Sequence, residues 1–229
     1  MNQNDVHSKT PRRKFLGSLA AGAATLGISS LAPLGVSASP EFSTMAGEAD
    51  AWFDKVKGKH RVVFDVPEPH EVFPFAWPRV FLLTNAKTGT PENECGVVIV
   101  LRHNAIPYAM NDSLWVKYKF GEIFKIDDAA TKAPSVRNAF WKPKPGDFSV
   151  PGLGNVAIGI NELQDSGVMF CVCDMAMTVY SAVLAGAGDA AAVKKDFLAN
   201  LLPGIQVVPS GVWAVGRAQE KKCAYIFCG

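Results

Sequence analysis

Apolar residues along this chain switch between two periods. Short runs rich in Val, Ile and Phe, bounded by Gly, Pro or Asn, read as strands: HRVVFDV (60–66), CGVVIVL (95–101), VMFCVC (168–173), IQVVP (205–209) and CAYIFC (223–228). The second carries its apolar residues consecutively, as a parallel strand buried on both faces requires. Between these runs the apolar residues recur at helical spacing. Helices are predicted over 46–57, 75–87, 111–124, 155–165, 175–185, 189–202 and 210–222, with a strand over 80–83 as the alternative to the second. Asn111 or Asp112, Asp189 and Ser210 stand where N-caps are needed, and Pro203-Gly204 closes the helix before it.

Strands alternating with helices at this spacing predict an α/β fold, a three-layer sandwich around a mainly parallel, roughly five-stranded sheet. Residues 127–153 break the rhythm. They hold Pro134, Pro143, Pro145 and Pro151, with Phe140, Trp141 and Phe148 among them. A flexible linker has few aromatics, so this stretch reads as an ordered insertion packed on the domain or on a partner. The expected organisation is an export signal over 1–38, a leader with one short helix over 39–59, and the α/β domain over 60–229.

The N-terminus changes how composition is read. Arg12 and Arg13 precede Lys14, Phe15 and Leu16, a Gly/Ala-rich apolar stretch runs to about Leu34, and Val36-Ser37-Ala38 offers small residues to a signal peptidase. This is the pattern of a twin-arginine export signal cleaved near Ala38, and it predicts a periplasmic or otherwise extracytoplasmic protein. A short membrane anchor is the alternative, but Gly and Pro interrupt the apolar stretch, so no stable anchor is expected after cleavage. Without residues 1–38, Lys+Arg falls from 23 to 19 and Asp+Glu from 21 to 20, leaving a net charge of about −1. The slight basicity belongs to the signal, and nothing suggests a nucleic-acid partner. All five cysteines lie after it, an odd number in a compartment where disulfides form.

In a parallel sheet, sites gather beyond the carboxyl ends of the strands. Two such ends carry chemistry: Arg102-His103-Asn104 and Cys173-Asp174. If their strands are parallel neighbours, His103 and Cys173 meet at one edge. Cys173 would sit at a strand-to-helix junction, where unpaired backbone N–H groups favour the thiolate. His103 would add a proton acceptor or a positive charge, and Asp174, if turned inward, would oppose ionisation. Cys171 shares a strand face with Cys173 and reads as core. Cys223 and Cys228 point to opposite faces; either packs, or Cys228 is a surface thiol. A metal site from Cys171, Cys173, His103 and Cys228 lacks the spacing of a strong motif. No P-loop, GxGxxG or GxSxG occurs, and GLGNVAIG follows no strand, so no cofactor is expected.

The segments GVMFCVCDMAM (167–177) and LLPGIQVVPSGVWAVGRAQEKKCAYI (201–226) resemble the DsrE/DsrF-like family of small sulfur-relay proteins, which includes the Tus components. The likeness covers about 60–126 and 155–228, and is strong from about 167 onward. Cys223 replaces the family's usual glycine before the last strand, and the insertion 127–153 is absent from the compact members. The resemblance implies a β/α sandwich, a homo-oligomer, and in active members a cysteine that carries a persulfide. Only Cys173 falls on that cysteine. The expected function is sulfur carriage or transfer through Cys173, with His103 as its polar helper and Asn104 as a donor to the substrate. The partner would be a small sulfur compound or a sulfur-donor or acceptor protein. The rivals are an oligomeric binding or assembly module in which the cysteines are core, and an exported Cys/His redox or metal-binding protein.

Overall fold

The computed structural model describes residues 39–150 and 154–229, so the export signal expected over 1–38 and Pro151 of the insertion lie outside the described residues. The elements run α1 (Pro40–Phe53), β1 (His60–Val66), α2 (Phe73–Lys87), a 3-10 turn (Glu92–Glu94), β2 (Cys95–Leu101), a longer 3-10 segment (His103–Ala109), α3 (Asp112–Lys117) and α4 (Phe120–Phe124). A small hairpin of β3 (Ser149–Val150) and β4 (Gly154–Asn155) follows, then α5 (Ile160–Asp165), β5 (Met169–Cys173), α6 (Asp174–Ala185), α7 (Ala190–Ala199), β6 (Ile205–Val208), α8 (Gly211–Glu220) and β7 (Ala224–Phe227). Five strands form one sheet in the order β6-β5-β2-β1-β7, every pair parallel. The three-layer α/β sandwich read from the sequence is the observed architecture.

Strand alternation assigns the two layers. Val62, Phe64, Val97, Ile99, Phe170 and Val172 face a core completed by Phe75 and Leu82 of α2, Leu163 of α5, Met177 of α6 and Phe197 of α7. Val63, Val98, Val100 and Cys171 face the opposite side, under Ala49, Trp52 and Phe53 of α1 and Ala214 and Ala218 of α8. All seven residues of β2 are buried, which is why its apolar run is continuous. Each such Val or Ile stabilises the fold by about 1.5–3 kcal/mol relative to an exposed side chain.

Three elements differ from the sequence reading, each for a local reason. Helix α1 starts at Pro40 instead of 46, because Ser39 caps it by accepting from the Phe42 N–H and Pro40 fits the first turn. Its Trp52 and Phe53 belong to the core of the sandwich. The helix expected over 111–124 breaks at Lys119, whose φ is 52°. There Gly121 lies against the backbone of Ser135, where a Cβ would collide, so the chain turns to pass under the insertion. The helix expected from 155 begins at Ile160. Upstream, Arg79 Nε binds the Ala157 carbonyl at 2.6 Å and holds that backbone out of a helix. Glu162 then receives the Gly159 N–H at 2.8 Å and closes the first turn.

Helices α6 and α7 leave β5 on one face of the sheet, whereas α8 leaves the neighbouring β6 on the other. Adjacent strands whose helices depart to opposite faces open a crevice beyond their carboxyl ends. In this sheet the crevice lies between β5 and β6, where Cys173 pairs in register with Val208.

Candidate functional site

Cys173 ends β5 and caps α6. Its Sγ accepts the Ala176 N–H at 3.2 Å, and the Gly211 and Met175 N–H groups also favour its charged form, Met175 while donating to the Pro209 carbonyl at 3.3 Å. The N-termini of α6 and α8 therefore converge on one sulfur. Helix α8 starts there because Ser210 caps it, accepting from the Trp213 N–H at 3.2 Å. Gly211 lets it come close: a Cβ on that residue would collide with the Arg102 side chain.

The sulfur opens on a cavity of about 220 Å³. Its walls include Arg102 and His103 after β2, Met175, Val179 and Tyr180 of α6, and Val212 of α8. Because β2 and β5 are parallel neighbours, His103 and Cys173 line the same cavity at one sheet edge. Arg102 is held from behind by Asp65 of β1, Nε to Oδ1 at 2.5 Å and the terminal nitrogen to Oδ2 at 2.9 Å. The Tyr225 hydroxyl donates to the same Oδ2 at 2.9 Å. Asn104 stands differently from the expectation. Its Oδ1 accepts the Tyr180 hydroxyl, and Asn104 does not line the cavity, so it positions Tyr180 instead of reaching a substrate.

Electrostatics set the resting state. Burial pushes the Cys173 thiol above its ordinary value; the Ala176, Gly211 and Met175 N–H groups pull it down, and the Asp174 charge adds to the rise. Burial wins, so the resting group is the thiol, not the thiolate that helix N-termini alone would favour. Burial, reinforced by the Arg102 guanidinium, holds His103 below the usual imidazole value, with Glu68 opposing. At neutral pH His103 is a neutral proton acceptor. Asp174 is buried and paired to Lys194 of α7, Nζ to Oδ2 at 2.8 Å, while its Oδ1 has no partner among the described residues.

The remaining thiols are buried and unbridged. Cys171 does not share the environment of Cys173. It packs under α1 and α8, whereas Cys173 borders Ala176, Met177 and Tyr180, because the chain leaves the strand at the cap. Cys223 and Cys228 fall in opposite cores, as their spacing implies, and Cys228 is buried instead of lying on the surface. Among the described residues no group of three His, Cys, Asp or Glu side chains is placed to hold a metal ion. What the sequence reading missed is the second helix N-terminus at Cys173. The signal was present in VPSGV, whose cap follows the strand beside β5.

Fold and site together define an α/β sandwich with a cysteine at its topological switch point. No family model matches the chain, and no curated protein matches it. A solved structure from Methanobacterium thermoautotrophicum, described as MTH1491, a protein of unknown function, is similar with a TM-score of 0.40 and 19% identity. It covers 74% of this chain and 100% of its own. The sandwich class rests on the sheet and its two layers.

Proposed function

We propose that this protein carries or transfers sulfane sulfur, with Cys173 as the acceptor thiol. The observation that supports this most is the convergence of two helix N-termini on a sulfur facing a small cavity beside a neutral imidazole. In the forward step His103 takes the Cys173 proton, and the thiolate attacks the outer sulfur of a small hydropersulfide R–S–SH. The bond between the donor's two sulfurs breaks, R–S⁻ takes the proton back as R–SH, and Cys173 is left as Cys–S–SH. The exchange is electron-neutral and needs no oxidant. A persulfide is more acidic than a thiol, so the charge that burial disfavours on Cys173 becomes tolerable once the sulfur is loaded. The ring of N–H groups then steadies the anion.

The cavity admits a few heavy atoms, which suits a low-molecular-weight donor such as a short hydropersulfide, or thiosulfate, whose sulfane sulfur passes to Cys173 as its S–S bond breaks and sulfite leaves. Export through the twin-arginine signal and assembly into homo-oligomers belong to the same proposal. For the assembly, Trp77, Val80 and Leu83 of α2 are exposed apolar residues, and β7 ends the sheet with Tyr225, Ile226 and Phe227 exposed. The test is mass spectrometry of the protein after thiosulfate or hydropersulfide treatment, wild type against Cys173→Ser. A one-sulfur mass gain that vanishes in the variant is expected; no gain, or a gain that survives the substitution, overturns the proposal.

A further inference from the structure

A second cavity of about 640 Å³ lies under the insertion and shares no wall residue with the cavity at Cys173. This is the size range of small-molecule sites. Its floor is aromatic. Tyr108 meets Phe140 edge-on at 5.5 Å, and Phe140 stacks on Phe148 at 4.9 Å with the planes 3° apart. The insertion is fixed over this floor: Asn138 Nδ2 donates to the Tyr108 and Met110 carbonyls at 2.9 and 3.1 Å, and its N–H donates to Asp112.

Two features bear on what this cavity could hold. The first is the Tyr108 hydroxyl. The residue is 2% exposed, its ring lines the cavity, and no described residue bonds its oxygen. The enclosed unpaired side-chain atoms belong to Asp174, Ser181 and Arg217, so the Tyr108 oxygen is open to the cavity. A buried phenol without a partner is rare unless something else supplies one. The second is the rim. Glu71, Lys125 and Lys132 line the cavity with φ of 49°, 55° and 57°, a left-handed conformation that side chains other than Gly adopt at a cost. Arg137 and Asp128 neutralise each other at 2.9 Å. Lys125 and Lys132, against Glu71 and Asp127, remain outside any ion pair among the described residues, two charges of each sign.

We propose that this cavity binds a small zwitterion carrying an aromatic ring, the class of the free aromatic α-amino acids. The ring lies on the Phe140–Phe148 floor, a polar ring atom meets the Tyr108 hydroxyl, and the rim receives the ammonium and the carboxylate. These four side chains are exposed, so the rim selects by complementarity of charge at the mouth and not by desolvation, and a zwitterion meets both signs there.

Isothermal calorimetry of the full chain tests this with tryptophan, tyrosine, indole acetate (carboxylate only), tryptamine (ammonium only) and indole. One of the two amino acids binds more tightly than about 1 mM and ahead of the singly charged and uncharged rings. Tyr108→Phe removes an oxygen that no described residue uses, so it folds normally and weakens that binding about two- to tenfold. Lys132→Gln weakens the amino acid and leaves indole unchanged, while Cys173→Ser leaves all binding unchanged, which separates this site from the sulfur chemistry. Failure of both amino acids to bind in this range overturns the proposal. So does equal binding of indole acetate or tryptamine, an unaltered affinity in Tyr108→Phe, or loss of binding in Cys173→Ser.

Discussion

Gly211→Ala puts one methyl group where two helix N-termini and an arginine meet. The new Cβ would stand 2.7 Å from Arg102 Cδ and 3.0 Å from Cγ. Arg102 has little room to yield, because both of its hydrogen bonds to Asp65 would have to break. Overpacking of this kind costs about 1–3 kcal/mol. Helix propensity returns at most about 1 kcal/mol, and less in a first turn. A net loss of about 1–2 kcal/mol in urea unfolding is expected. The second effect is chemical. Moving α8 outward withdraws the Gly211 N–H from Sγ, a hydrogen bond to a charged acceptor that stabilises the thiolate by about 1.5–3 kcal/mol. Without that N–H the Cys173 thiol rises further above its ordinary value. A more basic thiolate is also more nucleophilic, which returns about half of the loss on a logarithmic scale. Alkylation of Cys173 between about pH 7 and 8, followed by peptide mass mapping, slows about three- to tenfold. A variant more stable than wild type, alkylated at an unchanged rate, would refute the convergence of α8 on this sulfur.

The other thiols and the charged network give further outcomes. Cys171→Ser buries a hydroxyl among apolar side chains and costs about 1–3 kcal/mol, whereas Cys173→Ser costs less than about 1 kcal/mol because the Ala176 N–H bonds the new oxygen; the reverse order in thermal melts contradicts these environments. Asp65→Asn strips the charge that holds Arg102 and Tyr225 and costs about 2–3 kcal/mol, discounted for the partly exposed guanidinium. A loss below about 0.5 kcal/mol would mean that the pair behaves as a surface contact. Burial raises all five thiols above their ordinary values, Cys228 to about 12. A raised acid keeps its proton more firmly in the folded state, so its contribution is complete below about pH 9 and fades as pH climbs toward the folded values. The Tm is therefore steady up to about pH 8 and falls above about pH 9; a flat Tm to about pH 11 contradicts it.

Period and punctuation carried most of the architecture. Continuous apolar runs at 95–101 and 168–173 marked strands buried on both sides, and they are the centre of the sheet. Caps at Asp189 and Ser210 were readable because their side chains bond the first N–H groups locally. What escaped the sequence is set by distant partners. Lys119 turns left-handed because Gly121 lies on Ser135, and residues 155–159 stay extended because Arg79 reaches across to Ala157. At the site, strand-end placement brought out Cys173 and His103 together. The net rise of the thiol was not visible, since it balances burial against three N–H groups, one of them from α8. Asn104 looked like a substrate donor by its place after β2, yet its side chain serves Tyr180, a partner on another helix.

The most direct measurement is where donated sulfur comes to rest. The protein is incubated with thiosulfate carrying a heavy isotope in its sulfane position, quenched with an alkylating agent, and each of the five cysteines is mapped. Label on Cys173 alone, passed on to a small thiol acceptor in a second incubation, is the predicted result. Label spread to the other four cysteines, concentrated on one of them, or absent from all five contradicts the account.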